Sequence, residues 1–331
     1  MESPRVGLVG PGRTRNGLGP FQAAFLEQAG GRVVAASGRD SKRTQQACDD
    51  LANRLGHGVD AEPSLEALLA RSDLDALIIA CPASGHEAAL RGAVEVGLHA
   101  LCEKPLVPLN RQAEVAGLCD QFEDRGLVLM ENAQWPEVLG IYDDLKASGT
   151  AVDWRSESAV ERRRRSVAMG LSPAGTGFAM CEDSISHLIS VIQAVAPVDG
   201  STVVERAEWS DRSEAAVSTA LHAQLRTGEV LIDVRFDLEQ VPQQPRPAWI
   251  EIDGVRVDRS VDPEAGYQMA LTGPDRIARP VGDPMKMLVY RFAQLCGVAE
   301  DSRVALERLR IRHRAPLYRA FCEAFHGPSP T

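Results

Sequence analysis

From Arg5 to Met130, short apolar, β-branched runs alternate with longer stretches whose apolar positions recur every three or four residues. The short runs predict buried strands at Arg5–Val9, Arg32–Ala36, Asp75–Ala80, His99–Cys102 and Leu127–Met130. The longer stretches predict helices with readable ends. Asp40 or Ser41 caps a run to Leu55, Ser64 caps Leu65–Ala70 with Glu66 in its first turn, and Asn110 caps Arg111–Arg125. Gly30, Gly56, Gly97 and Gly126 stand where helices should stop. This rhythm belongs to βαβ units around a doubly wound parallel sheet.

Beyond Met130 the period changes. A helical stretch from Pro136 to Ala147 closes at Gly149, and longer alternating runs follow at Ala151–Val160, Thr202–Trp209, Ala216–Arg226, Val230–Asp237 and Trp249–Val257. Alternation gives each strand one buried and one wet face, as in an open mixed or antiparallel sheet. Val241–Pro247 is a Pro-rich connection, and Pro284–Cys296 and Ser302–Phe325 read as closing helices. The pattern therefore predicts an α/β domain over residues 1–130 and an α+β domain over 131–331.

At 331 residues, 44% apolar and 25% charged, the chain is globular, neither disordered nor fibrous. Thirty-six basic against 46 acidic residues leave a net charge of −10, which opposes generic attraction to nucleic acid or an anionic membrane. No stretch approaches the roughly 18 apolar residues of a membrane span, and no charged-then-apolar leader opens the chain; a cytoplasmic protein is expected. The seven cysteines form no C-x-x-C pair and the histidines no ligand spacing, so reduced thiols and no metal are expected.

The first strand runs into Gly10-Pro11-Gly12-Arg13-Thr14-Arg15-Asn16-Gly17-Leu18-Gly19-Pro20. Small residues after the first strand of a βαβ unit let the backbone approach a pyrophosphate, which the N–H groups of the next helix then attract. Gly10 and Gly12 supply half of a G-x-G-x-x-G fingerprint. Arg15 stands third, so the loop is longer, Gly19 takes the helix-packing role, and Arg13 and Arg15 can both reach phosphate oxygens. Strand two ends Ser37-Gly38-Arg39-Asp40. The place where an acid would take a ribose 2′-hydroxyl is Gly38, while Ser37 and Arg39 suit a 2′-phosphate, which favours NADP(H), with NAD(H) through Asp40 as the rival.

Asp75–Pro82 followed by His86, then Gly97–Leu106 with Glu103-Lys104-Pro105, then Gly175-Thr176-Gly177 and Asp183-Ser184-Ile185-Ser186-His187, together resemble the glucose–fructose oxidoreductase, inositol dehydrogenase and rhizopine-catabolism (Gfo/Idh/MocA) family. The resemblance implies an amino-terminal Rossmann domain for a nicotinamide cofactor and a carboxy-terminal domain whose open sheet joins a homodimer or homotetramer. It implies hydride transfer at an oxygen-bearing carbon of a sugar, cyclitol or related metabolite, with Lys104, Asp183 and His187 catalytic. By the same likeness Cys81, Pro82, His86, Glu103 and Pro105 line the cofactor. The long phosphate loop and Ser190, where many members carry an acid, depart from the family.

The residues give reasons of their own. Only four of the 36 basic residues are lysines, Lys42, Lys104, Lys146 and Lys286. Lys104 follows a strand at the carboxyl edge of the sheet, where an ammonium can do what a guanidinium cannot. Asp183 and His187 lie four apart on one helical face, so the acid can orient a proton-exchanging imidazole. Arg162–Arg165 is either a solvated charge run or, through Arg163, an anchor for a substrate phosphate or carboxylate; Gln134 and Trp135 are substrate-side candidates, Trp135 as a stacking wall or as core. The expected activity is an NADP(H)-dependent oxidoreductase acting on CH–OH or C=O of a small molecule. The alternatives are transient oxidation within a net non-redox reaction, or a silent dinucleotide-sensing regulator.

Overall fold

Residues Arg5–Val9 (β1) form an apolar strand buried from Val6 onward, and five further strands assemble around it. In the computed structural model, which describes residues 3–12, 17–149, 163–262, 268–298 and 301–327, these are Arg32–Ser37 (β2), Asp60–Glu62 (β3), Ala76–Ile79 (β4), His99–Cys102 (β5) and Leu129–Glu131 (β6). They are parallel throughout, in the order β3-β2-β1-β4-β5-β6. The winding reverses between β1 and β4, so a crevice opens at their carboxyl ends, where such sheets bind ligands.

The helices of this unit are Gly19–Gln28 (α1), Ser41–Leu55 (α2), Leu65–Leu69 (α3), His86–Val96 (α4) and Val115–Asp124 (α5). Asp40 caps α2 by accepting the Arg43 N–H at 2.8 Å, and Ser64 caps α3 by accepting that of Ala67 at 3.2 Å. Asn110 does not cap a helix. It lies inside a 3-10 turn over Leu109–Glu114, because the chain leaves Pro108 extended and tightens first through Arg111 N–H donating to the Pro108 carbonyl.

The compact unit built on this sheet comprises Met1–Asn132 and also Met285–Arg312, a segment the sequence pattern groups with the carboxy-terminal domain. The reason is apolar cover. Met285, Leu288, Val289, Phe292 and Leu295 of Pro284–Cys296 (α8) are buried in one cluster with Val6, Leu8, Leu26, Val33, Ile78 and Leu101.

The second unit comprises Ala133–Pro284 and His313–Thr331. After a 3-10 turn at Trp135–Val138 and the helix Ile141–Ala147 (α6), Arg164–Leu171 (β7) leads through a Gly-rich turn into Gly177–Val195 (α7). Seven strands follow: Val203–Trp209 (β8), Ser218–Thr227 (β9), Val230–Glu239 (β10), Ala248–Ile252 (β11), Val255–Asp262 (β12), Gln268–Thr272 (β13) and Ala278–Val281 (β14). With β7 they form one sheet, ordered β14-β13-β12-β11-β7-β10-β9-β8, parallel only between β7 and β10. The α+β class with an open mixed sheet is thus present.

Strand alternation sorts the two faces of this sheet. Leu221, Ile232, Phe236, Ile250, Val257 and Leu271 are buried, while the opposite face carries the ion pairs Arg235–Asp237 and Arg256–Asp258. On that face Trp249 lies against Gly170, where a Cβ would meet the indole Nε1 at 2.0 Å, under the guanidinium of Arg256. The helix Ser302–His326 (α9) buries Tyr318, Phe321 and Phe325 in this unit, and the Phe321 carbonyl accepts the Trp209 indole N–H at 3.0 Å.

Two departures from the sequence pattern have local causes. Trp249–Val257 is two strands, because Asp253 and Gly254 take φ of 49° and 81° and turn a hairpin. The arginine run begins a strand: Arg164 pairs with Asp233, and the buried Arg165 with Asp253 at 2.9 Å. Ala151–Val160 lies outside the described residues. No helix among those described is long and apolar enough to cross a membrane.

Candidate cofactor and substrate sites

At the carboxyl end of β1, Gly10 has a φ of 89° and donates its N–H to the Ser37 carbonyl at 2.8 Å. A Cβ here would lie 2.7 Å from the Cys81 nitrogen, so only glycine lets the turns after β1 and β4 meet. Nine residues on, a Cβ on Gly19 would lie 2.5 Å from the Gly10 carbonyl oxygen, so α1 begins directly against the end of β1. The two glycines let the end of β1, the turn after β4 and the first residue of α1 meet, a cradle at a helix N-terminus of the kind a dinucleotide pyrophosphate requires. Gly12 sits in a bend within it; Arg13 and Arg15 lie outside the described residues.

Beside this cradle Ser37 is buried, and Gly38 packs so tightly that a Cβ would meet Thr44 Oγ1 at 2.8 Å. Arg39 is exposed. Its charge reaches the Cys81 thiol, although burial dominates there and pushes that thiol up to about 11. The Asp40 carboxylate is already engaged in capping α2.

The loops after β4 and β5 are tied together by His86. Its ring is buried, with Nδ1 2.9 Å from the Pro105 carbonyl oxygen and Nε2 2.8 Å from that of Cys81, and burial lowers its pKa. Pro82 begins the turn that leads to it. Glu103 donates its N–H to the Ile79 carbonyl, and its Oε1 accepts from both Gln22 and Asn132, the latter at 2.6 Å. Lys104 is half-buried at the end of β5 and precedes Pro105 through a cis peptide bond; Leu106 then donates its N–H to Glu131 at 3.0 Å. Gln22, Asn132 and Glu131 escape the sequence pattern. Their signal is a polar side chain at an apolar position of α1 or at the end of β6.

In the second unit Asp183 and His187 lie one helical turn apart on α7, Asp183 exposed and His187 half-buried. Gly177 enters that helix with a φ of 54°, in a place where a Cβ would meet Glu214 Cα at 2.6 Å. Trp135 is 5% exposed and follows the half-buried Gln134; its ring meets that of His187 edge-on at 6.5 Å, and the Arg259 guanidinium lies over it at 5.7 Å.

Arg163 is not brought to this group. It is 81% exposed at the start of β7 and paired at 3.4 Å with an equally exposed Glu229. Arg259 instead lies level with Ala248 and, through it, with Leu171 at the far end of β7. At about 3.3 Å per residue that strand separates the two ends by roughly 25 Å. Among the described residues no group of three or more His, Cys, Asp or Glu could hold a metal.

Residues 4–133 match the family model described as "Oxidoreductase family, NAD-binding Rossmann fold", GFO_IDH_MocA. A dTDP-3,4-didehydro-2,6-dideoxy-α-D-glucose 3-reductase of Streptomyces antibioticus is 35% identical over 161 residues, 48% of this chain and 47% of its own. An inositol 2-dehydrogenase of Leifsonia xyli subsp. xyli is 27% identical over 84% of this chain and 74% of its own. The chain thus spans under half the length of the first relative and about three quarters of the second. A 3-ketoreductase from Actinomadura kijaniata, solved with NADP and TDP-benzene, superposes with a TM-score of 0.66 over 97% of this chain and 98% of its own, at 22% identity; that is a likeness of fold.

Proposed function

We propose, from the premise that this chain belongs to the Gfo/Idh/MocA oxidoreductase family, that it is an NADP(H)-dependent oxidoreductase acting on a carbonyl or alcohol carbon of a small polar substrate, a sugar, cyclitol or related metabolite. The observation that carries this reading is the cradle at the sheet's switch point, where Gly10 and Gly19 leave no room for a Cβ. Gly10, Gly12 and Arg13 hold the pyrophosphate, and Ser37, Gly38 and Arg39 the 2′-phosphate; a guanidinium matches a phosphate where a carboxylate would repel it. Cys81, Pro82, Glu103 and Pro105 line the nicotinamide side, with His86 fixing their loops.

When bound, the cofactor supplies or accepts the hydride. Lys104 donates a hydrogen bond to the reacting oxygen and stabilises negative charge growing there. His187 gives that oxygen its proton in reduction and removes it in oxidation, and Asp183 orients and tunes the ring. Trp135 and Gln134 shape the substrate side. A homodimer or homotetramer through the sheet face that bears Trp249, in a cytoplasmic setting that suits seven free thiols, completes the reading.

The test is turnover of candidate carbonyl compounds with NADPH by wild type, Lys104→Ala and His187→Ala. Expected is a loss of kcat of about a hundredfold or more in each variant with NADPH affinity retained. Undiminished turnover in either would remove that residue from the chemistry.

A further inference from the structure

Arg259 is charged, half-buried and lacks a carboxylate partner among the described residues. One Nη donates to the Arg246 carbonyl, the guanidinium lies over the Trp135 ring, and its Nε is buried without an acceptor. Neighbouring arginines on this sheet differ: Arg165, Arg235 and Arg256 each hold an Asp. Asp258, next in the chain, is engaged by Arg256 on the opposite face.

Withdrawing a guanidinium from water without a counter-charge is costly, and in folded proteins such groups are normally paired. Burial acts against the charge of this group. An aromatic face returns only part of the lost hydration. Arg246 adds a second cation without an ion-pair partner among the described residues, at the same strand end. Its Nη1 reaches the Ser172 carbonyl at 3.4 Å and its Nε too is buried without an acceptor. The Trp135 ring that receives Arg259 also meets His187, so contacts of 5.7 and 6.5 Å join this cation to the proposed proton donor.

We propose that Arg259, held by the Arg246 carbonyl and the Trp135 ring, binds an oxyanion substituent of the substrate, so that the preferred substrates are phosphorylated or carboxylated sugars or cyclitols. This deepens the oxidoreductase reading and rests on it for the word substrate, while the oxyanion subsite itself does not. The role assigned to Arg163 by its position in the arginine run passes to Arg259.

The test uses the full chain, saturated with NADP+ so that the phosphate loop is occupied, and two variants, Arg259→Gln and Arg259→Lys. Inorganic phosphate and pyrophosphate are titrated calorimetrically. In parallel, kcat/KM is measured for a neutral hexose, its phosphate, the corresponding hexuronate and a nucleoside-diphosphate hexose. The three anionic substrates separate a phosphoryl, a carboxylate and a diphosphate source.

Expected is a loss of anion binding in Arg259→Gln and a fall of about tenfold to a hundredfold in the ratio of kcat/KM for the preferred anionic substrate over the neutral one, as for loss of a hydrogen bond to a charged group. Arg259→Lys falls between, because an ammonium keeps the charge and lacks the fork. If Arg259→Gln does not fold, the lysine variant carries the test through the same ratio. Equal anion binding, or an equal loss toward neutral and anionic substrates, would overturn the proposal. Anion binding that depends on Arg259 in a protein that turns over nothing would leave the subsite standing and sink the oxidoreductase reading; turnover with no dependence on Arg259 would do the reverse.

Discussion

Replacing Gly19 with alanine separates two opposite expectations. On helix propensity alone the change favours folding by up to about 1 kcal/mol, since alanine is the better helix former and no left-handed φ is involved at this position. The packing says otherwise. The new Cβ would stand 2.5 Å from the Gly10 carbonyl oxygen, and reaching an ordinary 3.4 Å contact moves the start of α1 away from the end of β1 by about 0.9 Å. Backbone cannot yield as the tip of a flexible side chain can, and overpacking of this kind costs about 1–3 kcal/mol.

For a unit of this size each kcal/mol lowers the melting temperature by about 2–4 °C, so a fall of several degrees is expected. The same shift draws the helix amides away from the pyrophosphate, and NADPH affinity should fall by roughly tenfold to a hundredfold, the scale on which ångström misplacements act. Thermal unfolding with and without NADPH, beside a fluorescence titration, reads both effects. A melting temperature unchanged or raised, with affinity intact, would refute the view that Gly19 closes the cradle.

Two further outcomes concern stability. His86 and His99 are held neutral by burial, with their pKa lowered. Between those lowered values and the ordinary imidazole value near 6.5 the unfolded chain binds protons that the folded chain does not, so their contribution is complete above about pH 6.5 and is lost as the pH falls below it. The urea midpoint should drop between pH 7.5 and 5.5, and by less in His99→Gln; an identical drop in that variant would exclude the histidine. Phe292→Ala empties a wholly buried site in the cluster that α8 completes under β1, and should cost about 3–5 kcal/mol by urea unfolding; a cost under 1 kcal/mol would mean that α8 does not share that core.

The parallel half of the fold is plain in the sequence because both faces of its sheet are covered, so strands read as apolar runs and helices carry their own caps. β3 is invisible by the same logic, for Asp60–Glu62 is a three-residue edge strand whose single apolar residue, Ala61, can show no period. β7 is hidden because it opens inside four arginines, whose partners Asp233 and Asp253 are far along the chain. The Asp253-Gly254 hairpin carries a recognised turn signal, masked by alternation that continues across it.

At the candidate sites, Gly10, Gly19 and the Asp40 cap follow from local chemistry. Arg259 does not. Alternation along β12 puts it on the apolar face with Val255 and Val257, opposite Arg256 and Asp258, but only folding reveals the tryptophan ring that it lies over.

In the proposed reading the switch point of the first unit binds a dinucleotide through its 2′-phosphate. Fluorescence titration of the whole chain with NADPH and NADH, repeated on Arg39→Ala, tests it most directly. Expected is NADPH bound at least about tenfold more tightly than NADH, with that preference abolished in Arg39→Ala, the loss expected for one charge-assisted phosphate contact. Equal or reversed affinities in the wild type, or no binding of either nucleotide, would contradict it.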